Sequence, residues 1–438
     1  MFNKNNLQVF EEIPPGWKKY SLGKVLPILY GKGLPKAKRD NSGVIAVYGS
    51  SGKVGSHSGS LTVKPSLIIG RKGSVGEVYY SAKPCWPIDT VYYVEETDNL
   101  SLKFFEYLLK GLQLKQLDKS TAVPGLSRDD YNAVEVAVPP LDQQKLIVAE
   151  IEKQFSRLDE AVANLKRVKA NLKRYKAAVL KAAVEGKLTE EWRKQHPDVE
   201  PADKLLERIL AERREKWQGR GKYKEPVAPD TTDLPELPEG WVWVTLPQLG
   251  EINRGKSKHR PRNDSKLFGG DYPFVQTGDV RHAAGEIKSY KQTYSEAGLA
   301  QSRLWPKGTL CITIAANIAD TALLGFDACF PDSVVGFLPE TDHTNIRFIE
   351  YFIRTAKENL ERFAPATAQK NINLQILKAV AVPFPPEREQ NAIVFEIESR
   401  LSVVEKIEST LNFEIARSDR LRQSILKKAF SGKLVSNQ

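Results

Sequence analysis

Few residues in this chain are spaced for bond-making chemistry. Cys85, Cys311 and Cys329 stand far apart and the five histidines are scattered, so neither a disulfide framework nor a Cys/His metal cluster is expected. There is no Gly-x4-Gly-Lys-Ser/Thr phosphate loop, no dinucleotide fingerprint after a strand, and no Asp/Asn-Pro-Pro-Tyr element of an adenine methyltransferase. The carboxylates that most resemble a nuclease set, Asp198, Glu200 and Asp203 with Lys204, lie in a charged stretch where solvated charge is the simpler account. No catalytic and no metal-holding residue is expected.

Residues suited to recognition are easier to find. Tyr48, Gly49, Ser50, Ser51, Gly52 and Lys53 read as a flexible turn carrying hydroxyls and a cation, and Arg71, Lys72, Gly73 and Ser74 follow an expected strand. In a second region Gln276, Thr277, Asp279 and Arg281, then Asn317, then Gln369, Lys370 and Asn371 occupy comparable turns. Lys32 and Lys256 each follow a glycine in a repeated Gly-Lys pair. Arg or Lys can donate to guanine O6 and N7, Gln or Asn can pair with adenine, and hydroxyls reach phosphates. An ordinary polar turn is the alternative for each residue taken singly.

The elements that carry these loops come in two copies. Residues 139–188 read as one long helix, with Ile151, Leu158, Leu165, Leu172 and Val179 recurring every seven residues. At an offset of 246 the positions become Ile397, Val404, Leu411, Ser418 and Ile425, four of them apolar. Ile147, Phe155, Val162, Val168 and Tyr175, and in the second copy Ile393, Leu401, Ile407, Ile415 and Leu421, fill the intervening row, which makes a coiled-coil seam. Ser418, bordered by Glu408 and Glu414, marks an expected weak stretch in the second seam. Each copy opens on Pro-Pro and Gln144 or Gln390 and closes on Gly-Lys-Leu, at Gly186 and Gly432, matching helix start and stop preferences. Each rod should hold roughly 45 residues and reach about 65 Å. A rod with such a stripe cannot bury it alone, so the two copies are expected to pair.

The regions before the rods read as mainly β. Strands are expected at Ser66–Gly70, Val75–Tyr80, Thr90–Val94 and Val134–Val138, with a helix from Leu102 to Leu114 and a Pro-Gly loop at 121–126. Gly240, Trp241, Leu246, Gly255 and Lys256 repeat Gly16, Trp17, Leu22, Gly31 and Lys32, so the globular part is duplicated too, with loops that differ. The expected order is a module at 14–140, a long helix at 141–188, a charged helix and Pro-rich linker at 189–236, a second module at 237–386 and a second long helix at 387–434. This is an α+β chain of modules alternating with rods. At 438 residues each module can bury a core of its own. A formal charge of +11 and a pI near 9.2 favour a polyanionic partner. No run approaches a membrane span and no apolar leader opens the chain, so a cytoplasmic setting is expected.

This duplicated pattern resembles the specificity subunit of type I restriction-modification enzymes. The duplicated rod with its flanking words, the stretch Leu234 to Trp241, and the phrases Ile69 to Gly76 and Ala122 to Tyr131 carry the resemblance. It implies that the modules are target recognition domains on double-stranded DNA, and that the rods pair as an antiparallel coiled coil acting as a ruler between two half-sites. It also implies a non-catalytic subunit that docks two methyltransferase subunits and, with them, the restriction (translocase-nuclease) subunits. S-adenosylmethionine, ATP and Mg would then belong to those partners, with no cofactor on this chain. An adaptor whose modules bind protein, or a self-sufficient nuclease or methylase, are the competing readings. Salt-dependent DNA affinity separates the adaptor, and cofactor-dependent activity of the isolated chain would reveal the enzyme.

Overall fold

The computed structural model describes residues 13–40, 43–118, 124–218, 221–283, 285–315, 318–362 and 374–435. The chain forms two compact units, Met1–Val168 with Thr410–Gln438, and Lys169–Ser409. Each unit holds one module and a segment of each rod.

In the first unit, Lys18–Ser21 pairs antiparallel with Glu135–Val138, which joins the two ends of the module. Between them lie a four-stranded antiparallel sheet, ordered Leu29–Tyr30, Val91–Glu95, Ser66–Gly70, Val78–Ser81, and a three-stranded sheet, ordered Gly52–His57, Ile45–Gly49, Cys85–Pro87. The strand expected from Val75 begins only at Val78, because Gly76, at φ +74°, turns the backbone first. The stretch read as a flexible turn is a tight hairpin in which Tyr48 faces Lys53 and Gly49 faces Gly52. The helix Leu102–Leu112 starts at Ser101, whose side chain accepts from the Phe104 N–H. Its Phe104 packs edge-on against Phe430 of the second rod, centroids 5.4 Å apart.

The second unit repeats the frame. Val242–Thr245 pairs antiparallel with Ala381–Phe384. The sheet between them has five strands, ordered Gly250–Arg254, Val334–Pro339, Leu310–Thr313, Thr321–Leu324, Glu286–Ile287, with a separate pair of Phe268–Phe274 and Gln292–Tyr294. The charged helix expected ahead of the Pro-rich linker contributes to this core. Ala202, Leu205 and Ile209 of the helix Ala202–Glu215 are fully buried among Val244, Leu249 and Phe348.

The rods are Leu141–Val184 and Glu387–Phe430, 44 residues each. In the first unit Arg422 bonds Asp159 and lies over the Phe155 ring, while the earlier Ile147 and Ile151 share a core with the later Leu426, Ala429 and Phe430. In the second unit Lys176 meets Glu408 at 2.7 Å, and the later Thr189 donates to the earlier Glu389 at 2.6 Å. In each unit the two segments therefore run antiparallel. Of the seam positions, Ile151, Val179, Ile397, Val404 and Leu411 are buried, and Leu158, Leu165, Leu172 and Ile425 are half-buried. Val168, Tyr175, Ile407 and Leu421 of the intervening row are exposed. One partner helix can cover one row well; Ile151, Val179 and Ile397 in addition share a core with module residues. Ser418, expected to mark a weak stretch, is buried, and its hydroxyl donates to its own helix at Glu414 O, 3.0 Å. Glu408 is held by Lys176.

Both rods stop in the same way. Gly186 and Gly432 adopt φ +70° and +72°. Lys187 N donates to Ala182 O at 2.8 Å, and Lys433 N to Lys428 O at 2.9 Å, the six-to-one bond of a Schellman stop. A Cβ on Gly186 would come within 2.5 Å of Pro238, and one on Gly432 within 2.7 Å of Pro14, the prolines that open the two modules. Both rods also start alike. Gln144 Nε2 donates to Pro139 O while its Oε1 accepts from Ser101 N; Gln390 does the same with Pro385 O and Asn345 N.

Candidate nucleic-acid interface

One short segment, Pro87–Thr90, gathers the candidate loops of the first module. Lys32 N donates to Pro87 O at 3.0 Å, Ile88 N to Tyr48 O at 2.9 Å, and Arg71 N and Lys72 N both donate to Thr90 O, at 3.0 and 3.1 Å. Gly31 abuts the Ile88 carbonyl so closely that a Cβ there would clash with it, which explains why glycine precedes Lys32. Gly73, at φ +80°, comes so near the hairpin tip that a Cβ on it would sit 3.5 Å from Ser50 Oγ. The structure thus brings Lys32, Tyr48, Ser50, Ser51, Lys53, Arg71, Lys72 and Ser74 to one end of the module. Lys32, Ser51, Lys53 and Lys72 are exposed, and the other four are half-buried.

Arg71 does not extend into solvent as a free cation. Its guanidinium lies 5.2 Å from the Tyr30 ring centre and 5.9 Å from that of Tyr92. Tyr92 is buried, its hydroxyl donates to Leu126 O at 3.0 Å, and burial pushes its pKa up to about 12. That hydroxyl therefore stays neutral and the floor under Arg71 carries no charge.

In the second module Gly255 and Lys256 repeat the first arrangement. Gly255 N donates to Val334 O at 2.9 Å, and a Cβ there would strike the carbonyls of Phe330 and Pro331. Lys256 is exposed, with its carbonyl accepting from Ser302 Oγ at 2.8 Å. Gln276 and Asp279 are occupied locally, forming a capping box on the helix Thr277–His282, with Gln276 N donating to Asp279 Oδ2 at 2.9 Å. Gln276 Nε2 in addition donates to Gln292. Thr277 is the half-buried first residue of that helix and Arg281 is exposed on its last turn. Asn317, Gln369, Lys370 and Asn371 lie outside the described residues.

Both halves of the chain, residues 14–174 and 238–417, match the family described as type I restriction modification DNA specificity domain. The chain belongs to that family. Among curated relatives, the type I restriction enzyme EcoDI specificity subunit of Escherichia coli is 25% identical over 432 residues, covering 97% of this chain and 90% of the relative. The EcoKI specificity subunit of Escherichia coli strain K12 is 26% identical over 325 residues, covering 74% of this chain and 63% of the relative. A solved structure concerned with complex assembly and conformational transition of the type I R-M system aligns with TM-score 0.64 at 18% identity, covering 96% of this chain and 99% of that one. That likeness supports the fold.

Within this specificity fold, sequence reasoning overlooked Tyr30, Arg128 and a basic stretch. Arg128 is exposed at the start of the helix Arg128–Asn132, and its guanidinium is 5.8 Å from the Tyr30 ring centre. In the second module Arg254, Lys258, Arg260 and Arg262 are exposed around Lys256. The alternating cations from 254 to 262 were a readable signal; the meeting of Tyr30, Arg71 and Arg128, far apart in the chain, was not. Among the described residues no group of three or more His, Cys, Asp or Glu is placed to hold a metal ion. The cysteines are buried, and burial pushes their thiols up, away from thiolate chemistry. Among the described residues no helix is long and apolar enough to cross a membrane.

Proposed function

We propose that this chain is the sequence-reading subunit of a type I restriction-modification complex. Each module reads one half of a bipartite double-stranded DNA site, and the rods dock two methyltransferase subunits, with restriction subunits completing the assembly. The observation that carries this reading is the family match to both halves, each holding the same module-and-rod pattern with different loops. The net charge of +11 and the lysines at 32, 53, 72 and 256 suit a polyanion. Exposed Phe395, Val403 and Phe413 leave apolar area on the second rod that suits a protein partner. On this reading the subunit is non-catalytic and cytoplasmic, and S-adenosylmethionine, ATP and Mg are bound by its partners.

Mapping methylated adenines genome-wide in cells with and without the chain tests the proposal. Loss of one bipartite methylated sequence on deletion, and its return on complementation, is expected. An unchanged methylation map, with no salt-dependent DNA affinity of the assembled complex, would sink it.

A further inference from the structure

The first module brings together two guanidiniums that no carboxylate among the described residues neutralises. Arg71 follows the strand Ser66–Gly70, and Arg128 opens a helix capped by Ser127, yet both lie within 6 Å of one ring, Tyr30. Tyr30 is 50% exposed and rests edge-on against buried Tyr92, with centroids 5.1 Å apart. Among the described residues neither arginine forms an ion pair with a carboxylate. Arg128 spends one donor on Ile28 O, at 3.2 Å, and the Arg71 guanidinium lies against the rings of Tyr30 and Tyr92. Bringing two like charges to one exposed ring is unfavourable unless an acceptor-rich ligand arrives between them.

We propose that Arg71 and Arg128, set against Tyr30, are the base-reading pair of the first module and donate to guanine O6 and N7 in its half-site. This rests on the DNA-reading function above. A phosphate needs only charge, which the exposed Lys32, Lys53 and Lys72 supply on flexible stems. A base edge needs a donor fork whose direction is fixed in advance. Contact with the Tyr30 ring, itself packed on Tyr92, provides that, since a guanidinium already held against an aromatic ring loses little further freedom when its planar fork meets a guanine.

The test uses the complex assembled with its methyltransferase partners. Arg71→Lys and Arg128→Lys keep the charge and remove the fork. We expect each to relax recognition at a guanine position of one half-site, lowering discrimination there by about 10- to 100-fold. The other half-site should stay unchanged, as should the slope of log affinity against log salt. Tyr30→Phe should keep the wild-type site, while Tyr30→Ala should behave like the lysine variants. Strict reading of the second half-site in the same samples reports that the complex is folded and assembled. Lysine variants that methylate the wild-type sequence with undiminished discrimination would overturn the pair, as would a uniform loss of affinity with a shallower salt slope, the mark of a phosphate contact. If the wild-type complex itself lacks sequence-specific methylation that depends on this chain, the DNA-reading function fails first.

Discussion

The two modules are built on one frame, and the arginines named at their surfaces have different partners. In the first, Arg71 and Arg128 converge on Tyr30 without a carboxylate among the described residues. In the second, Arg303 is paired with Glu251, Arg262 with Asp332 at 2.9 Å, and Lys357 with Asp320 at 2.9 Å. What they share is buried: Glu106 between Lys103 and Lys110, and Glu350 between Arg347 and Arg354, on equivalent helices. The glutamine that starts each rod and the glycine that ends it are also shared. Contacts that fix the frame are thus kept in duplicate, while loops that bear none of the frame's burial have diverged. Two different readers can be carried by one scaffold on those terms.

The largest expected effect follows from that division. Replacing residues 14–138 with the equivalent region of a related subunit should change one half of the methylated sequence entirely and leave the other half alone. If both halves change together, the modules do not read independently.

A smaller effect probes the shared frame. Gln144→Ala and Gln390→Ala each strip a buried side chain that both donates to a proline carbonyl and accepts a backbone N–H. Each should cost about 1–3 kcal/mol, since a partner of a buried polar group is removed. Hydrogen exchange at the two rod starts would measure it, and losses differing by more than about 1 kcal/mol would show that the frames are not equivalent.

The duplicated frame was legible because it is local and periodic. Heptads, Pro-Pro starts and Gly stops all lie within one element, and the rods appear with the expected length and stops. The strand at Ser66–Gly70 is where its β-branched run predicts. What failed depends on what packs nearby. Val168 and Tyr175 fit the heptad spacing as the covered row does, yet they are exposed. Ser418 reads only as a gap in the apolar row, and the bond of its hydroxyl to its own helix is not visible in the heptads. Asp279 reads as part of a turn although a Gln-x-x-Asp box was present to place it on a capped helix. Arg128 carries no local sign at all, because Tyr30 is brought to it only by the tertiary fold.

The smallest expected effect concerns the ion pairs that distinguish the second module. Hydrogen bonding from Arg303 holds the Glu251 carboxyl below its ordinary value, against burial, which acts in the other direction. A carboxylate whose folded pKa is depressed contributes stability that is fully present above the unfolded pKa, about 4.3, and is lost as pH falls through the folded value. Glu251→Gln should therefore be less stable than wild type near neutral pH by about 0.5–1 kcal/mol, a modest figure because the pair is partly exposed. The gap should close as the pH falls below about 4. Arg71 and Arg128 of the first module, with no carboxylate partner among the described residues, contribute nothing of this kind, so Arg71→Lys should show no such convergence. Urea midpoints of wild type and both variants, taken near neutral pH and again near the acid limit, decide the point: a Glu251→Gln gap that stays constant with pH would mean that the glutamate stabilises the module by packing, and that the charge contrast between the modules has no energetic weight there.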